Sequence, residues 1–108
     1  MATTYKVLGQ SNPSATTATT LYTVPSSTSA VCSTLSIANL GGSTTFRVAI
    51  RPGGASLANQ HYIAYDNPIN ANAAVFLTLG ITLATTDVVT VYAGTANLAF
   101  GLFGSEVS

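Results

Sequence analysis

Hydrophobic and polar residues alternate one by one along much of this chain, in short runs separated by turn-forming residues. The clearest run is Thr44 to Arg51, where Phe46, Val48 and Ile50 alternate with Arg47, Ala49 and Arg51. A period of two puts successive side chains on opposite faces of a strand. The run therefore predicts one face in a core and another outside, the outer one carrying two of the chain's three cations. Pro52-Gly53-Gly54 ends it, since Pro lacks a ladder donor and Gly accepts turn dihedrals.

Similar runs fill the rest of the chain. Tyr5 to Gln10 reads either as a first short strand or as part of an extended arm over residues 1–20, and Ser11 to Thr20 is a polar connector with the turn pair Asn12-Pro13. Leu21-Tyr22-Thr23-Val24 alternates weakly up to Pro25. Ala30 to Leu40 is the longest candidate, with Val31, Ser33, Leu35 and Ile37 on one face and Cys32, Thr34, Ser36 and Ala38 on the other. The short loop through Gly41-Gly42 then predicts a hairpin between this strand and the Phe46 strand. Ala55 to Asn59 has the composition of a helical turn too short to stand alone. Further strands are expected at His61–Tyr65, closed by Asp66-Asn67-Pro68, at Ala74–Leu79 and, past Gly80, Ile81–Leu83, at Val88–Tyr92, and at Asn97–Gly104. About eight short strands, with no sustained 3.6-residue period, predict a single all-β domain over 1–108: an antiparallel β-sandwich, jelly-roll-like.

Composition narrows the function classes. Charged residues make up 6% of the chain, against roughly 25% in an ordinary soluble domain. Net charge is zero, so no general attraction draws the protein to nucleic acid or anionic lipid, and neither is expected as a partner. Weak self-repulsion and poorly defended strand edges predict a homo-oligomer, a trimer or higher ring. No apolar run approaches the ~20 residues of a membrane span. The first residues lack the pattern of a secretion signal, so synthesis in the cytoplasm without export is expected. Cys32 is the single cysteine, which excludes an intrachain disulfide; its apolar neighbours suit a small buried residue.

Candidate chemistry is sparse. His61 and Asp66 lie five apart, on opposite faces of a regular strand, and no Gly-x-Ser-x-Gly elbow occurs; they read as a surface His beside a turn Asp. One His, one Cys and three scattered acids, Asp66, Asp87 and Glu106, give no metal-ligand set and no cofactor site. Asp87 reads as a turn residue bonding nearby amides. A non-enzymatic protein is expected, and the residues singled out are candidate interface residues: Arg47, Arg51, Tyr62 and Tyr65. The arginines share one strand face, and their planar forks suit carboxylates and carbonyls of a partner. The tyrosines should point to opposite faces, one into the core and one outward as a contact anchor. A tyrosine platform for sugar is the other use open to them.

Taken in order, several segments resemble one family. They are Leu21-Tyr22-Thr23-Val24-Pro25, Phe46-Arg47-Val48-Ala49-Ile50-Arg51-Pro52, His61-Tyr62-Ile63-Ala64-Tyr65-Asp66, Leu79-Gly80-Ile81-Thr82-Leu83, Asp87-Val88-Val89-Thr90-Val91-Tyr92, Asn97-Leu98-Ala99-Phe100 and Phe103-Gly104-Ser105-Glu106. Together they resemble the small β-sandwich structural proteins of tailed-bacteriophage virions, those of cyanophages included, along nearly the whole chain. The resemblance implies a virion component with no catalytic residues, whose partners are the major capsid protein or other virion proteins. It does not fix the place in the virion; a small, uncharged, rigid β module favours a capsid decoration (cement) protein, and the alternative is a tail, neck or fibre component with host-glycan recognition.

Overall fold

In a computed structural model that describes residues 2–108, the alternating runs fold as eight strands in two antiparallel sheets. The strands are β1 (Thr3–Ser11), β2 (Thr19–Thr23), β3 (Ser29–Asn39), β4 (Thr44–Arg51), β5 (Tyr62–Ile69), β6 (Ala74–Leu83), β7 (Val88–Ala93) and β8 (Leu98–Val107). The first sheet has the order β1-β8-β3-β6 and the second β2-β7-β4-β5. One rule generates both: β1 pairs with β8, β2 with β7, β3 with β6 and β4 with β5, as in a single long hairpin rolled up on itself. The roll is closed by β8 against β3 and by β7 against β4. Eight strands joined in this way form a jelly roll, the architecture expected from the sequence.

The core lies between the sheets. Leu35, Ile37, Leu98, Phe100 and Leu102 come from the first, and Phe46, Val48, Val89 and Val91 from the second. Phe46 and Phe100 meet edge to face with their centroids 6.5 Å apart, a geometry worth about 0.5–1.5 kcal/mol beyond burial alone. Phe46 and Val48 are buried as the period predicts, while Ile50, next to the strand's end, is only partly so. Cys32 is fully buried, and burial pushes its thiol up to about 11. No helix among the described residues is long and apolar enough to cross a membrane.

Several local expectations are corrected. β3 and β4 do not form a hairpin; they belong to different sheets, and the loop at 40–43 crosses from one to the other. Buried Asn39 fastens that crossing: its Nδ2 donates to the carbonyls of Gly42 and Asn70, both at 2.9 Å, and its Oδ1 accepts from the Gly41 N–H at 3.0 Å. The alternation of β3 reverses at Ser33, because Cys32 lies opposite Gly104 and Thr34 opposite Phe103, two steps against one. This bulge puts Cys32 inside with Leu35 and Ile37 and leaves Val31 39% exposed. β5 does not stop at Asp66; it continues to Ile69 as an edge strand, where Pro68 costs no interior ladder bond. Residues 55–58 are not helical and lie between two short 3-10 turns, Pro52–Gly54 and Asn59–His61. At the chain's ends, β1 runs along β8, and Ala2 and Ser108 exchange backbone hydrogen bonds of 3.0 and 2.9 Å.

Candidate functional site

The outer face of β4 carries Arg47, Ala49 and Arg51, as the alternation predicts. Arg47 lies opposite Tyr92 of β7, and Ala49 opposite Tyr62 of β5. A second tyrosine reaches the same face through a bulge. Between Ala49 and Val48 the partner on β5 steps from Tyr62 to Ala64, so Ile63 is an extra residue. One extra residue reverses the inside–outside parity beyond it. Tyr62 and Tyr65 therefore share a face, and their rings meet edge to face with centroids 4.8 Å apart. The expectation of opposite faces, with one ring in the core, is overturned: Tyr62 is partly buried, Tyr65 is 54% exposed, and neither belongs to the core.

Arg47 organises this cluster. Its guanidinium carbon lies 4.2 Å from the Tyr65 ring centroid and 4.3 Å from that of Tyr92. Its Nε donates to Asp66 Oδ1 at 2.6 Å, and Nη2 donates more weakly to Oδ2 at 3.4 Å. Asp66 sits at φ +51°, a left-handed conformation that Asp tolerates better than most residues. A guanidinium held between two rings and pinned by a carboxylate has a fixed direction. Beside it, Asn59, Tyr62 and Tyr65 line an open concavity of about 330 Å³.

Arg51 acts elsewhere. Its Nε donates to Thr90 Oγ1 at 3.0 Å and its Nη1 to the Ala55 carbonyl at 3.1 Å. These bonds hold the segment at 52–61 over the outer face of the second sheet, where Ala49 and Thr90 are buried. His61 closes the segment; it is buried, and its Nδ1 accepts the Ala58 N–H at 3.0 Å. The expected surface histidine is thus a structural one, and Asp66 is committed to Arg47, so the two build no catalytic pair. Asp87 accepts N–H groups of Gly53 and Ala84, both at 2.8 Å, which is the turn role expected of it extended to a second loop. Arg47 and Arg51 lie on one face but belong to separate local networks.

The sequence reading missed a third polar group. Glu106 takes Lys6 Nζ on Oε1 at 3.2 Å and the Tyr22 hydroxyl on Oε2 at 2.5 Å. The bond from Tyr22, opposed by burial and aided by Lys6, holds the Glu106 carboxyl below its ordinary range. Burial first, and then Glu106, raise the Tyr22 hydroxyl above its ordinary value. The only signal was a lone Lys and a lone Glu in otherwise uncharged strands. With this trio, all six charged side chains have partners inside the molecule. Among the described residues, no group of three His, Cys, Asp or Glu is placed to hold a metal ion. No protein-family model matches the chain, and neither does any curated protein or solved structure.

Proposed function

We propose that this is a non-enzymatic structural protein of a tailed-bacteriophage virion, a decoration (cement) protein that binds the outside of the head shell through the major capsid protein. The observation that supports it is a neutral jelly roll whose charged groups are all engaged internally, leaving a surface of hydroxyls and scattered apolar side chains such as Tyr5, Val7, Val31 and Phe76. Jelly rolls serve in viral capsids and in lectins; the fold alone assigns neither role, and the resemblance of the ordered segments favours the virion. A rigid module of zero net charge attaches mainly by shape, and many identical weak contacts on one particle sum by avidity. Quantitative mass spectrometry of purified particles tests this. The expected copy number is comparable to that of the major capsid protein, and absence from the particle overturns the reading.

A second reading has its own observation. The concavity at Asn59, Tyr62 and Tyr65, beside the fixed Arg47–Asp66 pair, offers ring faces and an amide of the kind that orient a sugar. It supports a tail, neck or fibre component that recognises host glycans. A copy number of a few per particle, with glycan-array binding lost in Tyr65→Ala, is expected on this reading. An array without binders removes it.

A further inference from the structure

The sandwich has four edge strands, β1 and β6 in the first sheet and β2 and β5 in the second. Three of them carry features that discourage pairing with another chain. β1 has Lys6 and a register break at Leu8. β2 is five residues long and slips between Thr20 and Tyr22. β5 is bulged twice and contains Asp66 and Pro68. β6 differs: its ten residues, Ala74 to Leu83, include no charge and no proline. Its irregularity at Gly80, φ +61°, shifts the register against β3 but leaves its own alternation of covered and exposed residues unbroken. Val75, Leu77, Leu79 and Ile81 pack against the core yet remain partly exposed, and on the other face Phe76 is 69% exposed.

We propose that β6 pairs antiparallel with β6 of a second copy, about a two-fold axis at Thr78, joining the first sheets of two molecules into one continuous sheet. The proposal deepens the reading of this chain as an assembling module and rests on it. The strand is complementary to itself in that register. Leu77 faces Leu79 and Val75 faces Ile81, so the half-covered apolar row is completed by its own copy. On the outer face Phe76 comes opposite Gly80, whose missing side chain leaves open space, with nothing within 4 Å of a Cβ placed there; an aromatic ring across from an edge glycine is a known stabilising pair. No charge on β6 meets its like across the axis. A foreign strand could use the same free amides, but this matching is a property of the strand with itself.

The test is sedimentation velocity on the purified full chain, with Thr78→Lys and Thr78→Asp as variants. Thr78 is exposed, and circular dichroism confirms that each variant keeps the fold. In place of the trimer or ring that composition suggested, the wild type is expected as a dimer, or an even-numbered assembly, at concentrations on the order of tens of micromolar. Thr78→Lys should be monomeric, because two lysines meet at the axis, and an equimolar mixture with Thr78→Asp should restore the dimer. A monomeric wild type, a trimer, or an oligomer indifferent to Thr78→Lys overturns the proposal. So does a monomer that takes up a strand from another virion protein. The measurement uses the isolated chain, so its failure is separate from that of the virion reading, which copy counting on particles decides.

Discussion

Single side chains in this molecule act mostly by closing local accounts of hydrogen bonding and charge. Arg51 is the fastener of the segment at 52–61, through Thr90 and the Ala55 carbonyl. Arg51→Ala should cost about 1 kcal/mol, the usual net worth of such bonds, and speed amide exchange in Ala55–His61 before β4. Hydrogen-exchange mass spectrometry reads that contrast directly; uniform exchange across both segments would remove the fastener role. Substituting both Arg47 and Arg51 is therefore expected to lower stability, since each holds a partner within the molecule. The Tyr22–Glu106 bond gives a pH dependence of definite sign. Glu106 has a lowered value in the fold, so its contribution is present above the unfolded value of ~4.3 and lost as pH falls through the native one. Tyr22 has a raised value, so its contribution is present below its unfolded value of ~10 and lost as pH rises beyond it. Tyr22→Phe should flatten the alkaline loss and make the acid loss shallower, measured as urea midpoints from about pH 3 to about pH 11. Unchanged alkaline behaviour in that variant would place the titration on another group.

Strands carry the information that sequence exposes best, up to the point where a bulge intervenes. The period of two in β4 placed Phe46 and Val48 inside and both arginines outside, and the fold agrees. The same rule failed on β3 and β5 because Ser33 and Ile63 are ordinary residues that each add one step to a strand. Nothing local distinguishes a bulged Ile from a paired one; the partner strand decides. Asp66 offered a weak hint, since Asp tolerates the left-handed region it occupies. The Tyr65–Arg47–Tyr92 stack was illegible for that reason, although three of the four residues put forward do meet in it or beside it. The bulge opposite Gly104 also makes a prediction. A Cβ on Gly104 would overlap the Val31 carbonyl of β3, whereas one on Gly42 would point into open space. Gly104→Ala should therefore destabilise by about 1–3 kcal/mol, as overpacking does, and Gly42→Ala should stay within about 0.5 kcal/mol. Equal effects in denaturant unfolding would mean that the strands part easily at the bulge.

Over the whole molecule, rolling one hairpin brings together residues that sequence distance keeps apart. Tyr22 and Glu106 are separated by 84 positions, and no window along the chain could pair them. The same rolling consumes the charges: Lys6 with Glu106, Arg47 with Asp66, Arg51 with Thr90 and a carbonyl, Asp87 with two amides. Two of the three cations are ion-paired, while Arg51 and Asp87 bond neutral groups and leave one uncompensated charge of each sign. The net-neutral molecule therefore has only a weak field beyond its surface. Salt screens interactions over about 8–10 Å at ordinary ionic strength, and here few unpaired charges act over that distance. The free energy of unfolding at neutral pH should accordingly change by less than about 0.5 kcal/mol between low salt and ~0.5 M sodium chloride, a bound set by the small worth of exposed pairs. On the proposed virion role, attachment by shape and apolar contact should survive the same salt. Washing purified particles and counting the retained copies checks this against the unfolding curve of the free protein. Release at moderate salt with the fold intact would mean that a partner's charges reach Arg47 or Arg51 in competition with Asp66 and Thr90. That outcome would return the arginines to the interface and overturn attachment through a neutral surface.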